Sequence, residues 1–134
     1  IKPYYCDEHV TIYHGDCQDV VPQLDKVDLV LQTRPTQGSG NNTNRGKKQD
    51  GAAWAPSTQY ETIFEDTPVS PELLKQVVAA GKNAVIWGGN HFDLPPSACW
   101  YVWDKETGSN DYADCELAWT NLPGAVRLFR FQWK

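Results

Sequence analysis

The chain has 134 residues, a length that suits one domain built around one core. Hydrophobic residues make up 40% of it and charged residues 22%, a balance that excludes an intrinsically disordered chain. The formal net charge of -5 speaks against tight polyanion binding through overall charge, and no apolar run reaches bilayer-spanning length, so no membrane partner is expected.

In chain order, His9 to Tyr13 reads as a short strand, because Val10, Thr11, Ile12 and Tyr13 are β-branched or aromatic. Gly15-Asp16 ends it. Gln18 to Leu24 reads as a short helix with Asp16 as N-cap, and Pro22 limits its length. Val27 to Leu31 is a nearly continuous apolar run interrupted by one Asp, the pattern of a strand buried on both faces. Gln32 to Pro56 is rich in Gly, Asn, Thr, Gln and Lys, and is expected to be a long, mobile polar loop.

Ser70-Pro71-Glu72 is a helix start, with Ser at N-cap and Pro at the first helical position. Leu73, Leu74, Val77 and Val78 then recur at helical spacing, and Gly81 is the expected C-cap. Asn83 to Trp87 is a further buried strand ending in Gly88-Gly89-Asn90. Cys99 to Trp103 is a strand ending in Asp104-Lys105, and Glu106 to Asp111 a turn. Cys115–Thr120 and Ala125–Trp133 are two more strands, joined through Asn121-Leu122-Pro123-Gly124 and expected to form an antiparallel hairpin or near-hairpin. The early alternation of strand and helix predicts a single α/β domain over 1–134 with a mostly parallel sheet. The late strands predict an antiparallel edge.

The cysteines, Cys6, Cys17, Cys99 and Cys115, include no Cys-x-x-Cys pair, and His9, His14 and His91 are equally scattered. Free thiols and no metal site are the expectation. The N-terminus Ile1-Lys2-Pro3-Tyr4-Tyr5 has no signal-peptide core, so a soluble, cytoplasmic protein is expected. Methionine is absent even at position 1. Residues are therefore expected to precede Ile1, or the chain is a fragment or an edited sequence.

In open α/β sheets, ligands bind beyond the carboxyl ends of the strands. Four such ends stand out: Gly15-Asp16-Cys17, Gln32-Thr33-Arg34-Pro35-Thr36, Gly88-Gly89-Asn90-His91 and Asp104-Lys105. Singly each has a plainer reading. A Gly-Asp after a strand is commonly a turn, and paired glycines also serve close packing. The basic cluster Arg45-Gly46-Lys47-Lys48 is either a solvated loop, the plainer reading, or a neighbour of a phosphate backbone.

Several long stretches share an order with known enzymes. They are Tyr4-Tyr5 with His9 through Cys17, Val27 through Leu31, Ala84 through Phe92, Trp100 through Lys105, Asp114 through Thr120 and Val126 through Arg130. In these the chain resembles the N-terminal part of the DNA N4-cytosine/N6-adenine methyltransferases, especially the small bacterial and phage type. The resemblance covers most of the chain outside the polar loop. It implies a Rossmann-like sheet, here incomplete, S-adenosylmethionine as methyl donor, and double-stranded DNA as partner in DNA modification or restriction-modification. A flipped-out base is implied because an exocyclic amine cannot be reached inside the stack. By the same resemblance, Asp16 and the backbone near Cys17 contact the cofactor's adenine. Asn90, Asp104, Lys105, Arg45, Lys47 and Lys48 are placed on the substrate side.

In that family the strand matching Val27–Leu31 leads into Asp-Pro-Pro-Tyr or a close variant. Its acid and a backbone carbonyl accept hydrogen bonds from the target amine, and its aromatic ring stacks on the flipped base. Here the corresponding positions are Thr33, Arg34, Pro35 and Thr36. Thr33 carries no negative charge, Thr36 has no π-face, and Arg34 brings a positive charge to a site meant for a sulfonium. The family's glycine-rich cofactor loop is also not met before Lys134. The expectation is a methyltransferase-like domain without methyl transfer, either a fragment or altered enzyme or a nucleotide- or nucleic-acid-binding relic. An incomplete sheet would expose an edge and favour self-association into a homo-oligomer.

Overall fold

Residues 1–33, 69–108 and 113–132 are described by the computed structural model. The chain divides into two units, Ile1–Arg34 with Ser70–Lys134, and Pro35–Val69. Apart from Val69, the second unit lies outside the described residues, and so does the predicted polar loop beyond Thr33.

The first strands are short. β1 (Tyr5–Cys6) pairs antiparallel with β2 (Thr11–Ile12) in a two-stranded sheet of their own. The predicted strand His9–Tyr13 thus shrinks to two residues, and the cause is Asp7. Its Oδ1 accepts the N–H groups of His9 at 2.8 Å and Val10 at 2.7 Å, which draws both into the turn rather than the ladder. The Tyr5 hydroxyl donates to the other carboxylate oxygen of Asp7 at 2.7 Å.

α1 (Cys17–Val20) follows, capped by Asp16, whose Oδ1 accepts the Gln18 N–H at 2.8 Å. A 3₁₀ turn over Val21–Gln23, with Pro22 inside it, completes the predicted helical stretch. A 3₁₀ turn tolerates Pro near its start because the missing N–H has no intrahelical acceptor there.

β3 (Val27–Gln32) and β4 (Gly81–Trp87) pair in parallel, with Leu29 opposite Asn83 and Leu31 opposite Val85. Between them in sequence lies α2 (Pro71–Ala79), whose N-cap Ser70 accepts the Leu73 N–H at 3.1 Å. The predicted Gly81 cap is not used. Ala80, in right-handed helical backbone, is the C-cap, and Gly81 opens β4 directly. The Val27 N–H donates to the Ala80 carbonyl at 2.9 Å, which satisfies one terminal carbonyl of the helix through β3 instead of a left-handed glycine.

β5 (Trp100–Asp104), β6 (Cys115–Thr120) and β7 (Arg127–Arg130) complete a five-stranded sheet in the order β3-β4-β6-β5-β7. β6 is antiparallel to both β4 and β5, and β7 is parallel to β5. Three expectations change here. The last two strands are not a hairpin, because β5 lies between them. The antiparallel strand is inside the sheet, not at its edge. β3, expected to be buried on both faces, is an edge strand among the described residues, with Val27, Leu29 and Leu31 exposed at 44%, 49% and 63%.

The reversed strand is held on both sides. The Asn121 side chain accepts the Ala84 N–H at 2.7 Å, which extends the β4–β6 ladder by one bond. Gly124, at φ 142, turns the chain back toward β7, and a Cβ there would still find ordinary space, 3.7 Å from the Cys99 Sγ.

The core sits on one face of the sheet. Ala84, Ile86 and Trp119 are almost fully buried, with Val30, Val78 of α2, Phe92, Leu94 and Trp100 packed against them. Both indole N–H groups of this layer are satisfied. Trp119 donates to the Pro95 carbonyl at 2.8 Å and Trp100 to the Ser97 carbonyl at 3.1 Å. The fold is therefore mixed α/β with parallel pairs at both flanks and few helices. No helix among the described residues is long and apolar enough to cross a membrane.

Candidate functional site

Strand directions decide which loops can meet. β3, β4, β5 and β7 all run one way and β6 the other. The carboxyl ends Gln32–Thr33, Trp87–Gly88, Asp104–Lys105 and Arg130–Phe131 therefore share one rim. Gly15-Asp16-Cys17 was expected on this rim, but it follows β2, which belongs to the separate two-stranded sheet.

The rim is wide. Strands lie about 4.8 Å apart, so β3 and β5, separated by β4 and β6, are about 14 Å apart across the sheet. Thr33 and Asp104 cannot grip the same small group. Only a ligand of nucleoside length or more reaches from one to the other.

Thr33 is exposed, one residue beyond β3. Gln32 pairs with Ile86 in register, so Thr33 comes level with Trp87 at the end of β4. The Gln32 Oε1 is buried and has no hydrogen-bond partner among the described residues. Arg34, Pro35, Thr36, Arg45, Lys47 and Lys48 lie outside the described residues.

The glycines after β4 serve the backbone. Gly88 has a φ of 68, the left-handed conformation that opens the turn. Gly89 is buried, and a Cβ there would lie 2.5 Å from the Trp119 Cβ and 3.0 Å from its backbone N. Packing, not ligand approach, is what Gly89 provides. Asn90 is exposed on the short 3₁₀ turn Gly89–His91, with its Nδ2 3.3 Å from the His91 Nε2.

At the end of β5 the two predicted residues point to opposite faces, as alternation along a strand demands. The Asp104 carboxylate accepts from the Glu106 N–H at 3.0 Å and from the Arg130 Nε at 3.2 Å. Glu106 takes a φ of 52 in the turn that follows, and Asp104 anchors that turn. The Lys105 Nζ lies 2.5 Å from the Glu116 Oε1, with only 12% of its side chain exposed, and 5.9 Å from the centre of the Trp103 ring. A half-buried ion pair of this kind leaves neither charge free for a phosphate. Asp104 and Lys105 are thus tied up within the sheet.

Asp16 is exposed. One of its carboxylate oxygens, Oδ1, caps α1 by accepting the Gln18 N–H. Cys17 is exposed and free, as is Cys6. Cys99 is buried and Cys115 half-buried, and all four are free thiols. Among the described residues no group of three His, Cys, Asp or Glu side chains could hold a metal ion.

Two features of this end of the sheet were not singled out by sequence reasoning. The first is a ring cluster. Trp103 and Phe129 lie nearly parallel, 4° between planes and 6.4 Å between centres, and Trp87 stands edge-on to both. The second is a cleft of about 430 Å³ on the opposite face, with Val102 and Leu128 in its wall beside Asp104, Glu106, Asp114 and Cys115. Its carboxylates make it electronegative, with Arg130 offsetting the charge of Asp104. The period-2 alternation Trp103, Lys105 and Phe129, Phe131 carried a signal for the cluster. The parallel register Trp103 opposite Phe129 and Asp104 opposite Arg130 did not follow from the sequence, which pointed to a hairpin with the wrong neighbour.

The methyl donor implied by the resemblance finds little here to hold it. Asp16 is an exposed carboxylate, while the residue level with the end of β4 is a neutral threonine with no charge to set against a sulfonium or an amine. The described residues do not fit the reacting end of that cofactor. No known family model matches the chain, and no curated protein or solved structure does.

Proposed function

We propose that the chain is a Rossmann-like domain of the DNA amino-methyltransferase type, acting on adenine N6 or cytosine N4, that has lost methyl transfer. The observation that carries this reading is Thr33 at the carboxyl end of β3, exposed and level with the end of the parallel strand β4. This is where an open α/β sheet works on its ligand. The amine to be methylated needs an acceptor there that draws off its hydrogens and leaves the lone pair for the methyl group. An acidic oxygen does this through a charge-assisted hydrogen bond about twice as strong as a neutral one. Thr33 accepts only the weaker kind. The ordered resemblance of the segments around β2, β3, β4, β5, β6 and β7 supports the family, a cytoplasmic location and double-stranded DNA as partner.

The alternative within the same fold is a binding module that keeps affinity for nucleotide or nucleic acid. Asp16 supports it, as an exposed acid at the capped start of α1.

One experiment separates the two and tests the loss of chemistry. The chain is incubated with tritiated S-adenosylmethionine and mixed-sequence duplex DNA, and binding of each is followed in parallel by calorimetry. No label is expected in the DNA. Label in the DNA overturns the proposal. Absence of label with measurable binding of either ligand selects the binding module. Thr33→Asp with Arg34→Pro and Thr36→Tyr is expected to leave the DNA unlabelled, because the described residues do not hold the cofactor's reacting end.

A further inference from the structure

No further inference is drawn: the strongest candidate, the sheet face that bears Leu29, Leu31, Trp103 and Phe129, is an apolar face without a partner for these side chains among the described residues, and nothing in the structure shows what covers it.

Discussion

At Gly89 a single added methyl group would meet the Trp119 Cβ at 2.5 Å and the Trp119 backbone N at 3.0 Å. Backbone cannot swing aside as a side-chain tip can, so β6 and the turn after β4 would have to separate. Gly89→Ala is expected to destabilise the domain by about 1–3 kcal/mol, the usual cost of overpacking. Urea unfolding checks it, and an unchanged midpoint would show that the turn relaxes freely. Asp7 is the other residue whose role is read at atomic scale. Hydrogen bonds from Tyr5 and then from the His9 and Val10 amides hold its carboxyl below the usual carboxylate range. The same contact to Asp7 raises the Tyr5 hydroxyl above its ordinary value. A lowered acid contributes stability above its unfolded value, about 3.9, and loses it as pH falls through the folded value. A raised phenol contributes below about 10 and loses its contribution as pH climbs through the folded value. The β1–β2 turn is therefore expected to loosen below about pH 4 and again above about pH 10. The amide shifts of His9 and Val10, followed by NMR, should move with acidification, and shifts that stay flat down to pH 2 would refute it.

At the scale of elements, capping chemistry was readable and pairing was not. Ser70 and Asp16 both occupy the N-cap positions their neighbours indicate, because a cap is a contact between residues two or three apart. Ser70→Ala removes the acceptor for the Leu73 N–H, and a loss of about 1 kcal/mol is expected from thermal or urea unfolding. A loss near zero would mean that packing of Leu73 and Leu74 alone holds the first turn. The end of α2 followed tertiary context instead. The Ala80 carbonyl takes the N–H of Val27 from β3, a residue more than fifty positions away in sequence, and Gly81 is freed to begin β4. The strand neighbours of β6 show the same limit. Cys115–Thr120 and Ala125–Trp133 read as strands from composition alone, but a short connection through Gly124 gives no sign that it passes β5. Hairpin pairing is the default for sequential strands, and here β5 and β6 take it in place of β6 and β7.

At the scale of the whole molecule, the strand order leaves an edge strand among the described residues. Among the described residues, β3 ends the sheet, pairs only with β4, and exposes Val27, Leu29 and Leu31 at 44%, 49% and 63%. Apolar strand edges template pairing with other chains, and lysine is the residue that blunts them. Concentration-dependent association is expected by light scattering after size exclusion, and Leu31→Lys is expected to reduce it. A protein that stays monomeric at high concentration would show that the edge is closed in solution. The same order spreads the predicted site. Thr33 at the end of β3 and Asp104 with Lys105 at the end of β5 share a rim but stand about 14 Å apart, with two strands between them.

What the sequence determined by itself was local: that the chain is mixed α/β, that Asp16 and Ser70 start helices, that Val27–Leu31, Asn83–Trp87 and Cys115–Thr120 are strands, and that the motif positions after Leu31 lack an acid and an aromatic ring. Each depends on side chains a few residues apart, where periodicity and capping act. The tertiary structure alone decided that the antiparallel strand lies inside the sheet, that β3 is an edge, that Gly89 packs on Trp119, and that Asp104 and Lys105 are committed to Arg130 and Glu116. Those outcomes depend on which strand lies beside which. The backbone hydrogen bonds that join strands are the same for every residue type, and the sequence of one strand carries no address for its neighbour.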